Sequence, residues 1–190
     1  MKDWLEAHWV PGALMMAIAL LLVAPLLPGA WGWPLTLVYL ASPGYMLHQV
    51  EEHRGDRFRA YLNARLYGGL EALTTTDVLW INIPGVWGVD LAALYAAYYL
   101  DPGFGLAAPY LMLVNAIAHL AAAARWREYN PGLWTACGLF LPLALVALWR
   151  IPASPPQHAL GLAITLAVHA AIVVHVGRRG AALRGRARSS

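Results

Sequence analysis

Long apolar runs, separated by short polar or turn-forming segments, dominate the hydrophobic pattern of this chain. An α-helix needs about 20 apolar residues to cross the hydrocarbon core of a bilayer. Six runs of that order lie at residues 10–28, 33–53, 76–100, 104–124, 131–149 and 157–176. The pattern predicts an all-α fold, namely a polytopic membrane helix bundle with about six transmembrane helices in a single domain over residues 1–190.

The connections between the runs differ in character. Pro-Gly pairs, which are strong turn signals, lie in the first, third and fourth connections, at Pro28-Gly29, Pro102-Gly103 and Pro131-Gly132. The second connection, 55–75, is amphipathic, with Phe58, Leu62 and Leu66 at roughly helical spacing among arginines. It predicts a short interfacial helix between the second and third transmembrane helices, which serves either as a connector or as a lid.

The composition agrees with a membrane protein. Of the 190 residues, 60% are hydrophobic and 12% are charged, and the mean hydropathy is +0.54. A soluble domain carries about 25% charged residues. A single cysteine, Cys137, excludes a disulfide framework. Asp3 and Glu6 are atypical of the basic start of a signal peptide, so we expect the first run to be retained as a span.

The arginines indicate an orientation. They cluster in the second connection, the fourth connection and the C-terminal segment. Because cytoplasmic loops are enriched in basic residues, we expect an integral protein of the cytoplasmic (inner) membrane with both termini cytoplasmic. Residues 178–190 form the predicted basic cytoplasmic tail, in contact with lipid headgroups. The net charge of +3 accompanies no groove-reading motif, so no nucleic acid is expected as a partner.

The densest polar sequence, His48-Gln49-Val50-Glu51-Glu52-His53, ends the second apolar run. On a helix, His48, Glu51 and Glu52 stand at i, i+3 and i+4 and share one face, whereas His53 at i+5 is expected to point away. Imidazole nitrogens and carboxylate oxygens are ligands for zinc, iron or manganese. The alternative is that the two glutamates pair with nearby arginines at the membrane interface.

Other runs carry polar residues at a similar depth. His119 lies near the end of the fourth run with Asn115 one helical turn away, Asn82 lies near the start of the third, and His169 lies in the sixth. Polar side chains within membrane spans normally face the bundle interior. Hydrogen-bonded packing is the alternative role for His169 and for both asparagines. We predict a divalent-metal site with the ligands His48, Glu51, Glu52, His119 and His169, and with Asn82 and Asn115 orienting the substrate or the ligands.

Such a site suggests metal-assisted catalysis. A metal ion activates a water molecule or polarises a substrate, and Glu51 and Glu52 are the predicted catalytic residues, the non-ligating one acting as general base. The sequence lacks the H-E-x-x-H, H-x-x-E-H and G-x-S-x-G motifs of known hydrolases. Without a metal, two adjacent carboxylates repel one another, and one of them would suit a general acid for an isomerase or cyclase.

These residues resemble a known family. The motif His48-x-x-Glu51-Glu52, Asn82, Asn115-x-x-x-His119 and the stretch 127–136 are similar to the HXXEE family of small bacterial membrane proteins. The resemblance implies that His48, Glu51 and Glu52 act as a unit, and it implies no particular substrate. Where family members often have Ser before Pro-Gly, this chain has Asn130, and no role is predicted for that position.

We therefore expect a metal-dependent membrane enzyme that acts on a lipid-soluble or amphipathic substrate at the cytoplasmic leaflet, by hydrolysis, oxidation or proton-transfer isomerisation. The expected partners are membrane lipids, a hydrophobic or amphipathic small molecule, and either further copies of the chain or a larger membrane complex. One alternative is an ion-, proton- or solute-transporting subunit, for which Asp90 is the deep ionisable residue on the far side. The other is a structural partner in a larger complex.

Overall fold

The computed structural model describes residues 2–189, and their secondary structure is helical throughout, which confirms the all-α fold class. The first and last residues of the predicted domain 1–190, and the last residue of the predicted tail 178–190, lie outside the described residues. The helices are α1 Lys2–Val23, α2 Leu27–His53, α3 Arg57–Tyr67, α4 Thr75–Trp80, α5 Gly88–Tyr99, α6 Ala107–Trp126, α7 Leu133–Thr135, α8 Leu141–Arg150 and α9 Pro155–Ser189. Loops connect α3 to α4, α6 to α7 and α8 to α9, and short 3-10 or π-helical segments form the other connections.

Within residues 2–189, five helical stretches are long and apolar enough to cross a membrane, judged by length and composition. The first stretch, Asp3–Tyr67, is 65 residues long and contains two of the predicted spans. It turns back on itself, because Gly32 has a φ of 74° and a ψ of 167°, which no helix allows. The Tyr39 hydroxyl donates to the Leu20 carbonyl at 2.9 Å, so α1 and α2 form an antiparallel hairpin.

The short helix predicted between the second and third apolar runs is α3. It ends at Gly68, whose φ of 64° is typical of a helix C-cap. Asn63 then fixes the following loop, since its side chain donates to the Leu73 carbonyl at 2.8 Å and accepts from the Leu73 N–H at 2.9 Å. Thr74 and Asp77 form a capping box that begins α4. This loop holds α3 against the ends of the longer helices.

Two π-helical segments interrupt the second and fourth of these stretches, Thr75–Tyr99 and Leu133–Arg150. Ile81–Trp87 contains Pro84, which lacks an N–H and therefore cannot continue the α-helical bonding pattern. Ala136–Phe140 precedes α8. The first segment brings Asn82 into the interior, and the second places the fully buried Phe140 ring 4.3 Å from the His48 ring, measured between centroids.

The main core lies between α2, α5, α6 and α8, and its centre includes Val38, Tyr45, Leu111, Met112 and Phe140. The last helix, α9, approaches α6 closely at one end only. A Cβ at Gly161 would lie 3.0 Å from the Leu106 carbonyl carbon, and the Thr165 hydroxyl donates to the Ala107 carbonyl at 3.2 Å. The described part of the predicted tail continues α9 as helix to Ser189.

Candidate metal centre

Three of the predicted ligands converge at one buried point. His48 and Glu52 project from α2, one helical turn apart, and His119 projects from α6; their exposed fractions are 0%, 6% and 5%. One ligand atom from each residue lies within 4.8 Å of the other two. His48 Nε2 lies 3.6 Å from Glu52 Oε2, and His119 Nε2 lies 3.5 Å from Glu52 Oε1. This buried group could hold a metal ion.

The tautomer of His119 is fixed by Asn130. The Asn130 side chain donates through Nδ2 to the His119 carbonyl at 3.0 Å, so its Oδ1 faces the imidazole. Oδ1 accepts only, and it lies 2.6 Å from His119 Nδ1, which must therefore carry the proton. In the neutral form of His119, the Nε2 atom therefore presents a lone pair towards Glu52.

Glu51 fixes the tautomer of His48 through Thr135. The Thr135 hydroxyl lies 2.5 Å from Glu51 Oε2 and 3.2 Å from the Gly132 carbonyl, and both of these oxygens accept. The Thr135 hydroxyl therefore donates its proton to these oxygens, and the Thr135 oxygen accepts from His48 Nδ1 at 2.8 Å. The Nε2 atom of His48 then carries a lone pair, and it has no hydrogen-bond partner among the described residues.

Gly132 packs directly over both imidazole rings. With a φ of 100°, it adopts a backbone conformation that residues other than glycine rarely take. A Cβ there would lie 2.7 Å from His119 Cε1 and 2.8 Å from His48 Cε1. The Pro-Gly pair thus does more than turn the chain, because the absence of a side chain at Gly132 allows the two rings to sit side by side.

The separations within the group suit a cation better than direct hydrogen bonds. Contacts of 3.5 and 3.6 Å exceed the usual N–H···O range of about 2.7–3.2 Å. Ligands at about 2.0–2.1 Å from a tetrahedral zinc ion lie about 3.3–3.4 Å apart, close to both values. The two contacts reach different oxygens of Glu52, and one ligand atom from each of the three residues lies within 4.8 Å of the other two. Two lone pairs and a carboxylate face one another, and a bound cation would relieve their repulsion. Histidines that bind a metal through one ring nitrogen usually form a hydrogen bond through the other. Both histidines have such a bond here, through Nδ1.

Glu51 lies outside this group, although it was predicted as a ligand. Its Oε1 accepts from the Tyr129 hydroxyl at 2.8 Å and from the Trp134 N–H at 3.1 Å, and its Oε2 also accepts from the Thr135 N–H at 2.7 Å. Burial and the Glu51 carboxylate raise the pKa of Tyr129, so that hydroxyl keeps its proton and donates. Glu51 therefore joins α2 to α7 and to Tyr129 in the segment before it.

His53 contacts Glu52, although helical spacing predicted that it would point away. It is buried, and its Nε2 lies 3.0 Å from Glu52 Oε2 and 3.1 Å from Asn82 Nδ2. The prediction was wrong because α2 ends here: His53 has φ −108° and ψ −6°, and the chain turns immediately afterwards. Its ring packs against Trp9, with centroids 5.0 Å apart, so the interior extends one turn beyond the regular helix.

The two predicted asparagines and His169 lie around the group and outside its ligand set. Asn82 contacts His53 and accepts from Gln49 Nε2 at 2.9 Å, and Gln49 in turn accepts from Trp87 Nε1 at 2.8 Å. Asn115 Oδ1 is buried and has no hydrogen-bond partner in the described part of the chain. His169 Nδ1 lies 2.9 Å from the Thr165 carbonyl. This contact agrees with hydrogen-bonded packing, which was the alternative to metal binding for His169.

A cavity of about 320 Å³ extends from the group between α3, α6 and α9. Glu52, His53, Asn82, His119 and Asn130 lie at its polar end. Asn115 and His169 line it, and the rest of its wall is mainly aliphatic and aromatic. Glu52 and His119 therefore face an apolar chamber of the size that small-molecule sites have, whereas His48 is fully buried and is not part of its lining.

Sequence reasoning missed several residues that shape the group. Asn130, Gly132 and Thr135 lie in the stretch that carries the resemblance, but their spacing alone assigns them no role. The Pro-Gly pair signals a turn, which is compatible with many functions. Their roles depend on long-range contacts, since the oxygen of Thr135 accepts from a residue 87 positions earlier in the chain.

Comparison with known proteins identifies one family. A family model described as a protein of unknown function with HXXEE motif matches residues 39–147, and that range includes the three converging residues and the segment over them, whereas His169 lies beyond it. No curated protein and no solved structure matches the chain. Because the match covers more than half of the sequence, the chain belongs to the HXXEE family.

Proposed function

We propose that this protein is a membrane-embedded, metal-dependent enzyme that acts on a lipid-soluble or amphipathic substrate. The observation that carries the proposal is the convergence of His48, His119 and Glu52 at one buried point, where Glu52 and His119 also line an apolar cavity. Two histidines and one carboxylate leave coordination positions open, as catalytic sites require. A zinc, iron or manganese ion held there would supply Lewis-acid chemistry. An iron ion would alternatively supply oxidation chemistry.

The protein's own residues have separate tasks in this proposal. His48, Glu52 and His119 bind the metal ion, while Asn130 and Thr135 hold the two imidazoles in the ligating tautomer. Glu51 acts through Thr135 and is a positioning residue, since its carboxylate does not face the cavity. Asn82 and Asn115 line the cavity and would orient the substrate. In this proposal the site lies within a membrane, which is supported by helices long and apolar enough to cross one, and the arginine-rich connections lie on the cytoplasmic side.

The identity of the metal would separate the two main reaction classes. A His₂–carboxylate set binds zinc in hydrolytic enzymes and binds ferrous iron in non-haem oxygenases. Zinc in the purified protein would therefore favour hydrolysis of a lipid ester or amide, and iron would favour oxidation.

The proposal can be tested with membranes as the substrate source. Wild-type protein in vesicles of native lipid extract, supplied in turn with zinc, ferrous iron or manganese, should change the abundance of at least one lipid species measured by mass spectrometry. His119→Ala, which removes one ligand, should give no change, whereas His158→Ala, which removes a histidine bonded to Tyr110 away from the centre, should behave as wild type. Identical lipid profiles for wild type and His119→Ala would argue against an enzyme.

A second candidate, proton handling, rests on Asp90. This residue is fully buried in α5, and neither of its carboxylate oxygens has a hydrogen-bond partner among residues 2–189. Unpartnered acids inside membrane proteins commonly mark proton or ion pathways. Proton uptake into vesicles that is abolished by Asp90→Asn, while the metal content stays unchanged, would favour this candidate over the enzyme.

A further inference from the structure

The cavity has a polar end and an apolar body, and this division limits what can occupy it. Glu52, His53, Asn82, His119 and Asn130 contact one another at one end, whereas most of the remaining wall is built from residues such as Leu62, Leu111 and Ile172. A ligand that fits both parts carries a polar head and a hydrocarbon portion. Asn115, one turn from His119, adds a buried amide oxygen without a hydrogen-bond partner in the described part of the chain, so it can accept from a hydroxyl on such a head.

The volume limits the hydrocarbon portion to one chain. Small-molecule pockets commonly range from about 300 to 1,000 Å³, and this cavity lies at the lower end with about 320 Å³. The two acyl chains and the headgroup of a phospholipid exceed that space. A single alkyl, acyl or isoprenoid chain with a small oxygen-bearing head fits it.

The cavity opens sideways between α6 and α9. These helices touch at Gly161 and Thr165, but further along, the cavity lining includes Ala118 of α6 and Val173 of α9, both of which are exposed. The exposed fraction of Val173 is 70%, and it lies in the apolar part of α9. An opening lined by exposed apolar residues at this level would face hydrocarbon if the helices cross a membrane.

The end of the cavity near α3 also has exposed lining residues, but a charged pair lies beside it. Leu62, Arg65 and Leu66 of α3 line it, and the Arg65 guanidinium binds the Glu128 carboxylate through two contacts, one of them 2.8 Å from Nε to Oε1. This contact lowers the pKa of Glu128, so the pair stays charged at neutral pH. The pair fastens α3 to the segment that follows α6, which leaves the gap between α6 and α9 as the more apolar route.

We propose that the substrate is a single-chain amphiphile with an oxygen-bearing head, and that it enters from the bilayer through the gap between α6 and α9. This proposal rests on the proposed function, because it takes the metal centre as the point where the head group binds. It extends the proposed function by stating that the substrate has one hydrocarbon chain and by naming the route by which it enters.

The test uses a photoactivatable dodecanoic acid as the probe, added to the full-length protein in phosphatidylcholine vesicles. Labelling should saturate, should be competed by unlabelled dodecanoic acid, and should map by peptide mass spectrometry to residues 115–126 and 168–176. A two-chain photoactivatable phosphatidylcholine should label the outer surface without saturation. Dodecanoic acid labelling spread over all apolar helices without saturation would overturn the proposal.

Matched tryptophan substitutions test the route. Ala122→Trp and Val173→Trp fill the cavity and its opening, and they should lose the saturable labelling. Ala121→Trp and Val174→Trp add the same ring at neighbouring positions outside the cavity lining and should keep it. Equal labelling of all four variants would contradict entry through this gap.

Metal content measured on the same samples separates this proposal from the proposed function. Ala122→Trp and Val173→Trp leave every ligand in place and should bind as much metal as the wild type. Wild type with bound metal but without saturable labelling would overturn only the single-chain substrate. Saturable labelling in a protein that binds no metal would contradict the metal centre while keeping the cavity as a lipid site.

Discussion

Glu51 and Glu52 are neighbours in the sequence, but their carboxylates bond to different parts of the molecule. Glu52 faces His48 and His119, whereas Glu51 accepts from Tyr129 and from the 134–135 backbone. Successive residues on a helix point about 100° apart, so one turn can support both directions. Glu52 is thus the buried ligand of the pair, and Glu51 orients the imidazole of His48 through Thr135.

Replacing each glutamate by glutamine should separate these two roles. Glu52→Gln removes the charged ligand, so the metal ion should be lost from the purified protein. Glu51→Gln should retain the metal, with an affinity lower by about 10–100-fold, as is typical when a residue that supports a ligand is changed. Competition with a chromophoric chelator measures both affinities. Equal loss in the two variants would show that Glu51 is itself a ligand.

Gly132→Ala should disturb the centre without removing any ligand. Its added Cβ would lie within 2.8 Å of ring carbons of His48 and His119, so the rings must separate and metal affinity should fall. Gly69→Ala is the matched control, because Gly69 also has a positive φ, 88°, but nothing lies within 4 Å of its Cβ position. Both variants should be less stable to heat, and only Gly132→Ala should bind metal more weakly. Similar metal affinities would disprove the contact.

At the scale of single residues, the sequence predicts which residue types form the site better than it predicts the contacts between them. Chemistry and depth selected five candidate ligands, and the structure brings three of them together, namely His48, Glu52 and His119. The burial of His53 and the contact of Asn130 with His119 could not be predicted from helical spacing. Both depend on where the chain leaves a helix and returns, and that is set by packing between distant segments.

At the scale of elements, the turn between α1 and α2 depends on Gly32. Its φ of 74° is strained for any residue with a Cβ, so Gly32→Ala should lower the free energy of unfolding by about 1 kcal/mol or more. Gly29→Ala is the control, since Gly29 lies in helical conformation with open space around its Cβ position, and it should be neutral or stabilising. Thermal unfolding in detergent measures both. An equally stable Gly32→Ala would contradict the hairpin turn.

The apolar runs predict the long helices well because run length and turn signals are local properties. The amphipathic segment 55–75 contains α3 and its capping loop as expected. The two π-helical segments were not predicted: Pro84 indicates an interruption, but it does not determine how the backbone bonds around it. Pro142, two residues after Ala136–Phe140, likewise lacks the N–H that would bond the Gly138 carbonyl, and this segment also packs against α2 and α6.

For the whole molecule, a bound metal ion would link α2 to α6, because its ligands come from both helices. Binding only to the folded state stabilises it by about 2.7 kcal/mol when the metal is present at about 100 times its Kd. Saturating metal should therefore raise the unfolding temperature of the wild type and leave that of His119→Ala unchanged. The same increase in both proteins would show that the metal binds elsewhere.

The central claim is that His48, Glu52 and His119 together bind one divalent metal ion. Its most direct test is the metal content and X-ray absorption spectrum of detergent-purified protein, supplied with zinc, ferrous iron or manganese. We predict one ion per chain with two imidazole nitrogens at about 2.0–2.1 Å for zinc, and no stoichiometric metal in His48→Ala or His119→Ala. Folded wild-type protein that binds none of the three metals, or binds them as well as these variants, would contradict it.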